Sequence, residues 1–129
     1  MPLLIASSIA LENFEVEDSS IRNFASAQLA ALKGVTVVAP TAHALPHILS
    51  IVANDVAGEP VVRELSALEI DVDSGSACSP EDLQPSHVLA AMGHETKGHL
   101  RFTFHNETTR DEITALVKAL HDVLQNLRR

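Results

Sequence analysis

Between residues 99 and 127 the hydrophobic period of this chain changes from two to three and a half, which narrowly limits how it can fold. Leu100, Phe102 and Phe104 alternate with His99, Arg101, Thr103 and His105, so a strand here buries one face and keeps the other polar. From Thr109 the period lengthens, and Ile113, Leu116, Val117, Leu120, Val123, Leu124 and Leu127 form one helical stripe. Thr109 and Glu112 have the spacing of a capping box. Arg128 and Arg129 suit the negative end of that helix. A one-faced strand followed by a one-faced helix must share a core, which calls for layered packing of both element types.

The upstream segments fit this scheme. Val35–Val38, between Gly34 and Pro40, and His47–Val52, after Pro46, read as short strands. A helix is expected from Gly58, with Pro60 in its first turn and Val61, Val62, Leu65 and Leu68 on one face. A further strand is expected over Glu69–Val72. The first 33 residues read as helical. Ile21, Phe24, Ala25, Gln28, Leu29 and Leu32 form one near-helical pattern, and Leu4, Ile5, Ser8, Leu11 and Phe14 an earlier one. Asp18, Ser19 and Ser20 either cap the second helix or lie on its wet face. Ser79-Pro80-Glu81-Asp82 has the form of a helix start, and Pro85–Met92 of a short helix stopped by Gly93. The expected class is α+β: a small, mostly antiparallel sheet of about four strands with helices on one face. Residues 1–129 read as one domain, a helical segment at 1–33 leading into an α+β core at 34–129.

Composition excludes several functions. The net charge is −8, from 17 acids and 9 bases, and the only aromatic residues are four Phe. Phosphate contacts need clustered Lys and Arg, and base stacking needs aromatic platforms, so neither nucleic acid nor an anionic membrane is an expected partner. No apolar run reaches the roughly 20 residues of a membrane span, and no basic residue precedes the apolar N-terminus, so a cytoplasmic setting is expected. A single cysteine forms no internal disulfide, which fits a reducing compartment. The histidines supply no compact metal motif: His99 and His105 on one strand stand about 20 Å apart. No serine lies in a nucleophile elbow. His87 is expected to pack or hydrogen-bond within its helix.

The single cysteine, Cys78, carries more information through its neighbours. A lone cysteine is most often a small buried hydrophobe. Cys78, however, lies in Ser74-Gly75-Ser76-Ala77-Cys78-Ser79-Pro80, a loop of small residues that leaves a thiol accessible. The helix start just beyond it favours the thiolate modestly.

This loop, with Leu83-Gln84-Pro85-Ser86-His87-Val88-Leu89-Ala90-Ala91-Met92-Gly93, closely resembles the active-cysteine loop of cysteine desulfurases, within the class V aminotransferase family. Leu100-Arg101-Phe102-Thr103-Phe104, Thr108-Thr109 and Glu112-Ile113 resemble the strand and helix that close the family's C-terminal small domain. Leu45-Pro46 and Val56-Ala57-Gly58-Glu59 are weaker matches in the right order, and Pro2 through Leu32 looks like the helix leading out of the large domain. His105-Asn106 departs from the family's Gly and basic residue. The segment His94–His99 looks shorter than in many relatives and differs in composition.

The resemblance implies that Cys78 takes sulfur from a cysteine substrate as a persulfide, releasing alanine, in the sulfur transfer that feeds iron–sulfur cluster assembly. It implies that Ser74, Gly75, Ser76 and Ala77 form the active-site loop. Arg101 would clamp the substrate carboxylate, a task suited to a planar guanidinium. Read without the resemblance, Arg101 is equally a solvated strand arginine paired with an acid. The family's cofactor, pyridoxal phosphate (PLP), is held on a lysine of the large domain. Lys33, Lys97 and Lys118 have no such context, so no PLP is expected on this chain alone, only through a PLP-binding large-domain partner. A sulfur-acceptor protein and self-association through the apolar face of the first helix are the other expected partners. The alternative is a non-enzymatic sulfur carrier, an interaction module or a desulfurase remnant.

Overall fold

The computed structural model describes residues 2–14, 18–38, 44–74 and 86–129. Its elements are α1 (Pro2–Glu12), α2 (Ser20–Ala30), β1 (Val35–Val37), β2 (Ile48–Ala53), α3 (Gly58–Ser66), α4 (His87–Ala91), β3 (His99–Thr103) and α5 (Arg110–Leu127). The three strands form an antiparallel sheet in the order β1-β2-β3, and the class is α+β.

Alternation divides the sheet into two unlike faces. Leu49, Ile51, Leu100 and Phe102 point to the main core, where they meet Ala25 and Leu29 of α2, Val61 and Leu65 of α3, and the Ile113–Leu124 stripe of α5. Each fully buried side chain of this size contributes about 1.5–3 kcal/mol in removal from water. On the other face, Val38, Val52 and Leu89 form a separate small cluster, with Leu89 brought there by α4. Ser86 caps that helix, its Oγ accepting from Leu89 N at 3.4 Å. The capping box of α5 forms as its spacing predicts: Glu112 N donates to Thr109 Oγ1 at 3.2 Å, and Thr109 N donates to Glu112 Oε2 at 2.7 Å.

The structure differs from the sequence reading in one strand and in α2. The strand expected over Glu69–Val72 does not form; a single bridge between Asp73 and Arg101 stands in its place. The preceding helix ends in a Schellman-type turn, with Ile70 N donating to Leu65 O at 3.0 Å and Glu69 in the left-handed region at φ 61°. That turn uses the residues a strand would need. In α2, Gln28 is exposed and Arg22 is buried instead. Arg22 Nε donates to Ile48 O at 2.8 Å, while its Nη2 is closed to water without a partner among the described residues. The first helix, α1, buries none of its residues; Leu3, at 83% exposure, is the extreme, and Leu4, Ile5, Ile9 and Leu11 are also exposed, as a first helix without its cover requires.

Candidate functional site

Arg101 occupies the middle of β3, on the polar phase of the alternation, directly opposite Ser50 of β2. The chain returns along its other flank at Asp73. Asp73 N donates to Arg101 O at 3.2 Å, and Arg101 N donates to Asp73 O at 2.7 Å. Opposed residues of antiparallel pairs project to the same side, so Ser50, Arg101 and Asp73 form a row across the face away from the main core. Arg101 Nη2 also donates to Asp73 Oδ2, closing an ion pair. The two side chains are 42% and 37% exposed, and ion pairs open to water hold together by only about 0.2–1 kcal/mol. The guanidinium is therefore positioned by β3 but not sealed by its partner.

His99 lies two residues earlier on the same face, opposite Val52. Both ring nitrogens are closed to water, and neither has a hydrogen-bond partner among the described residues. Burial is the main cause that lowers its pKa from 6.5; the Arg101 guanidinium lowers it further, and the Asp73 carboxylate opposes both. A neutral imidazole thus stands beside a permanent cation.

Two glycines bring the surrounding chain close. A Cβ at Gly58 would lie 2.6 Å from His99 O and 3.0 Å from the Ser74 side chain, so α3 can approach β3 and Ser74 only through glycine. A Cβ at Gly98 would overlap the Ala53 carbonyl oxygen, where Ala53 N donates to Gly98 O at 2.8 Å. These contacts fix the start of β3 and hence the placement of His99 and Arg101.

Of the residues singled out from the sequence, Arg101 and half-buried Ser74 are described. Gly75, Ser76, Ala77 and Cys78, and the helix start expected at Ser79, lie outside the described residues. The sequence reading missed Asp73 and His99 as members of the site. Asp73 is 28 residues from Arg101, and no local pattern announces such a pairing. For His99 the signal was available, since it shares the polar phase of β3 with Arg101.

The described residues do not fit a PLP site. Lys33 and Lys118 are exposed at the end of α2 and on α5, and Lys97 is exposed in the turn before β3, where its carbonyl accepts from Gly58 N at 2.9 Å. The concavity near Lys33 is lined by Gly34, Asp55, His121, Gln125, Arg128 and Arg129, away from Arg101. What the Arg101 face offers chemically is an accessible, planar, permanently charged donor for a carboxylate.

Comparison with known proteins agrees with this fold. The model of the family "Aminotransferase class-V" matches residues 3–116, and the chain belongs to that family. Cysteine desulfurases are among its relatives. It is 32% identical to cysteine desulfurase IscS of Photorhabdus laumondii, over 95% of this chain and 31% of that protein. It is 38% identical to cysteine desulfurase IscS of Buchnera aphidicola, over 64% of this chain and 21% of that protein. The structure of a NifS-like protein from Rickettsia africae superposes with a TM-score of 0.69 at 20% identity, over 83% of this chain and 28% of that one, a likeness of fold. The chain thus spans about a third or less of the length of the relatives it matches.

Proposed function

We infer that this chain carries the sulfur-accepting cysteine and the carboxylate-binding arginine of a cysteine desulfurase, and that it works with a PLP-binding lobe supplied in trans. The observation that carries this reading is Arg101: a half-exposed guanidinium held at mid-strand on the face away from the core, in a chain whose relatives are cysteine desulfurases. Arg101 receives the carboxylate of L-cysteine through paired N–H donors and sets the orientation of the amino acid. Cys78, four residues beyond Ser74 in the small-residue loop, takes the substrate sulfur. The reaction balances without an outside oxidant. A sulfur–sulfur bond forms as the substrate's carbon–sulfur bond breaks, Cys78 becomes a persulfide, and the substrate carbon gains hydrogen to leave as alanine.

PLP belongs to the complementary lobe in this reading and supplies the electron sink there. A sulfur-acceptor protein then takes the persulfide sulfur, in a reducing cytoplasmic setting. No helix of the described residues is long and apolar enough to cross a membrane. The exposed apolar surface of α1 is what docks on the lobe, and in the isolated chain it associates with a second copy.

Alanine formation tests the assignment. With a PLP-loaded lobe and L-cysteine, Arg101→Gln should raise KM at least tenfold, and Arg101→Lys should recover only part of the loss because a point charge lacks the fork. An unchanged KM in Arg101→Gln would remove Arg101 from the site.

A further inference from the structure

We propose that Asp73 is an internal competitor for Arg101, a carboxylate of the chain itself that occupies the guanidinium until a substrate carboxylate displaces it. The inference rests on the carboxylate-binding role assigned to Arg101 and adds the residue that sets its affinity. Three observations carry it. The ion pair joins Asp73 Oδ2 to Arg101 Nη2, one of the donors a bidentate carboxylate would use. The paired backbone bonds at 3.2 and 2.7 Å hold Asp73 beside Arg101 regardless of what its side chain does, so the competitor is always present and cannot diffuse away. The pair is partly open, at 42% and 37% exposure, so it can exchange without unfolding its surroundings.

A merely structural cross-strand pair makes a different prediction. If Asp73 only holds the bridge in place, its removal loosens the site and weakens ligand binding. If it competes, its removal strengthens binding. The balance is decided by the size of the pair energy. An exposed ion pair of this kind opposes a ligand by about two- to fivefold in affinity. That cost falls on every carboxylate alike, so it lowers affinity without changing discrimination, and only a ligand with additional contacts, such as an amino acid held on a second lobe, still binds tightly.

The test is an NMR titration of the full chain with S-methyl-L-cysteine, a carboxylate probe with no transferable thiol, read at the Arg101 side-chain Nε–H resonance. Asp73→Ala and Asp73→Asn should bind about two- to fivefold more tightly than the unsubstituted chain, with backbone spectra retaining the fold. Asp71→Asn removes the same charge two residues away and should change affinity less than either. Arg101→Gln should abolish binding, read at neighbouring backbone amides. Equal or weaker binding in both Asp73 variants overturns the competitor role while leaving Arg101 as the carboxylate site. Tightening by Asp71→Asn equal to that by Asp73→Asn reduces the effect to general charge and also overturns it. Binding that survives Arg101→Gln, or that is absent from every variant, overturns the Arg101 assignment itself.

Discussion

His99 sits two residues before Arg101 on the same face of β3, with both ring nitrogens closed to water and unpaired among the described residues. Protonating this imidazole places a second positive charge beside the guanidinium, in a site where burial already disfavours charge. The unfolded chain titrates this histidine near 6.5, and the folded chain titrates it lower. As pH falls, the unfolded state therefore takes up the proton first. The stability tied to neutral His99 is complete above about pH 6.5 and declines on acidification until the folded pKa is passed. NMR titration of the ring should place its midpoint below 6.5; Arg101→Gln should raise it, and Asp73→Asn should lower it further. An unchanged midpoint in Arg101→Gln would contradict the electrostatic account of this face.

Arg128 ties the C-terminal end of the chain to two distant segments. Its guanidinium donates to Lys33 O at 2.8 Å, Gly34 O at 2.9 Å and Asn54 O at 3.1 Å. These carbonyls close the end of α2 and the turn after β2, so Arg128→Ala should destabilise the fold by about 1 kcal/mol in urea unfolding. Arg129→Ala is the control and should have no measurable effect. Equal stability of the two variants would mean the carbonyls exchange Arg128 for water at no cost.

Thr109 and Glu112 make a reciprocal cap on α5, and the backbone N–H and hydroxyl of Thr109 lower the Glu112 pKa. Thr109→Ala should cost about 1 kcal/mol. The contribution of the Glu112 carboxylate is present at neutral pH and is lost as pH falls through its lowered folded pKa. Unfolding curves at neutral and acidic pH check this, since Glu112→Gln should differ from the unsubstituted chain less at acidic pH.

The legible and illegible parts of this fold separate by the range of the interactions. The α5 stripe, its cap and the alternation of β3 are local patterns, and their side chains lie where the period places them. Cross-chain pairings are not local. Arg22 lies outside the apolar pattern of its helix, yet the carbonyl of Ile48, 26 residues on, draws it into the core. Glu69–Val72 has strand composition, but the end of α3 takes Glu69 into a left-handed turn first. At the candidate site, Arg101 was legible from its phase on β3, whereas Asp73 became its partner only through the return of the chain beside that strand.

The exposed apolar residues of α1 are those expected from the sequence to lack a cover, and so large an uncovered surface is unfavourable in water. Sedimentation at rising concentration should detect self-association, and the double substitution Leu4→Glu with Ile9→Glu should restore a monomer. A chain that is monomeric at every concentration before substitution would contradict this.

Mass spectrometry of Cys78 tests the central claim most directly. The chain is incubated with L-cysteine and a PLP-loaded large lobe of a class V relative, and the peptide containing Cys78 is weighed without reduction. One added sulfur atom on Cys78, matched by alanine in solution and much diminished in Arg101→Gln, is the expected result. Alanine produced at the same rate by Cys78→Ser, or a Cys78 peptide that never gains sulfur while alanine accumulates, would contradict it.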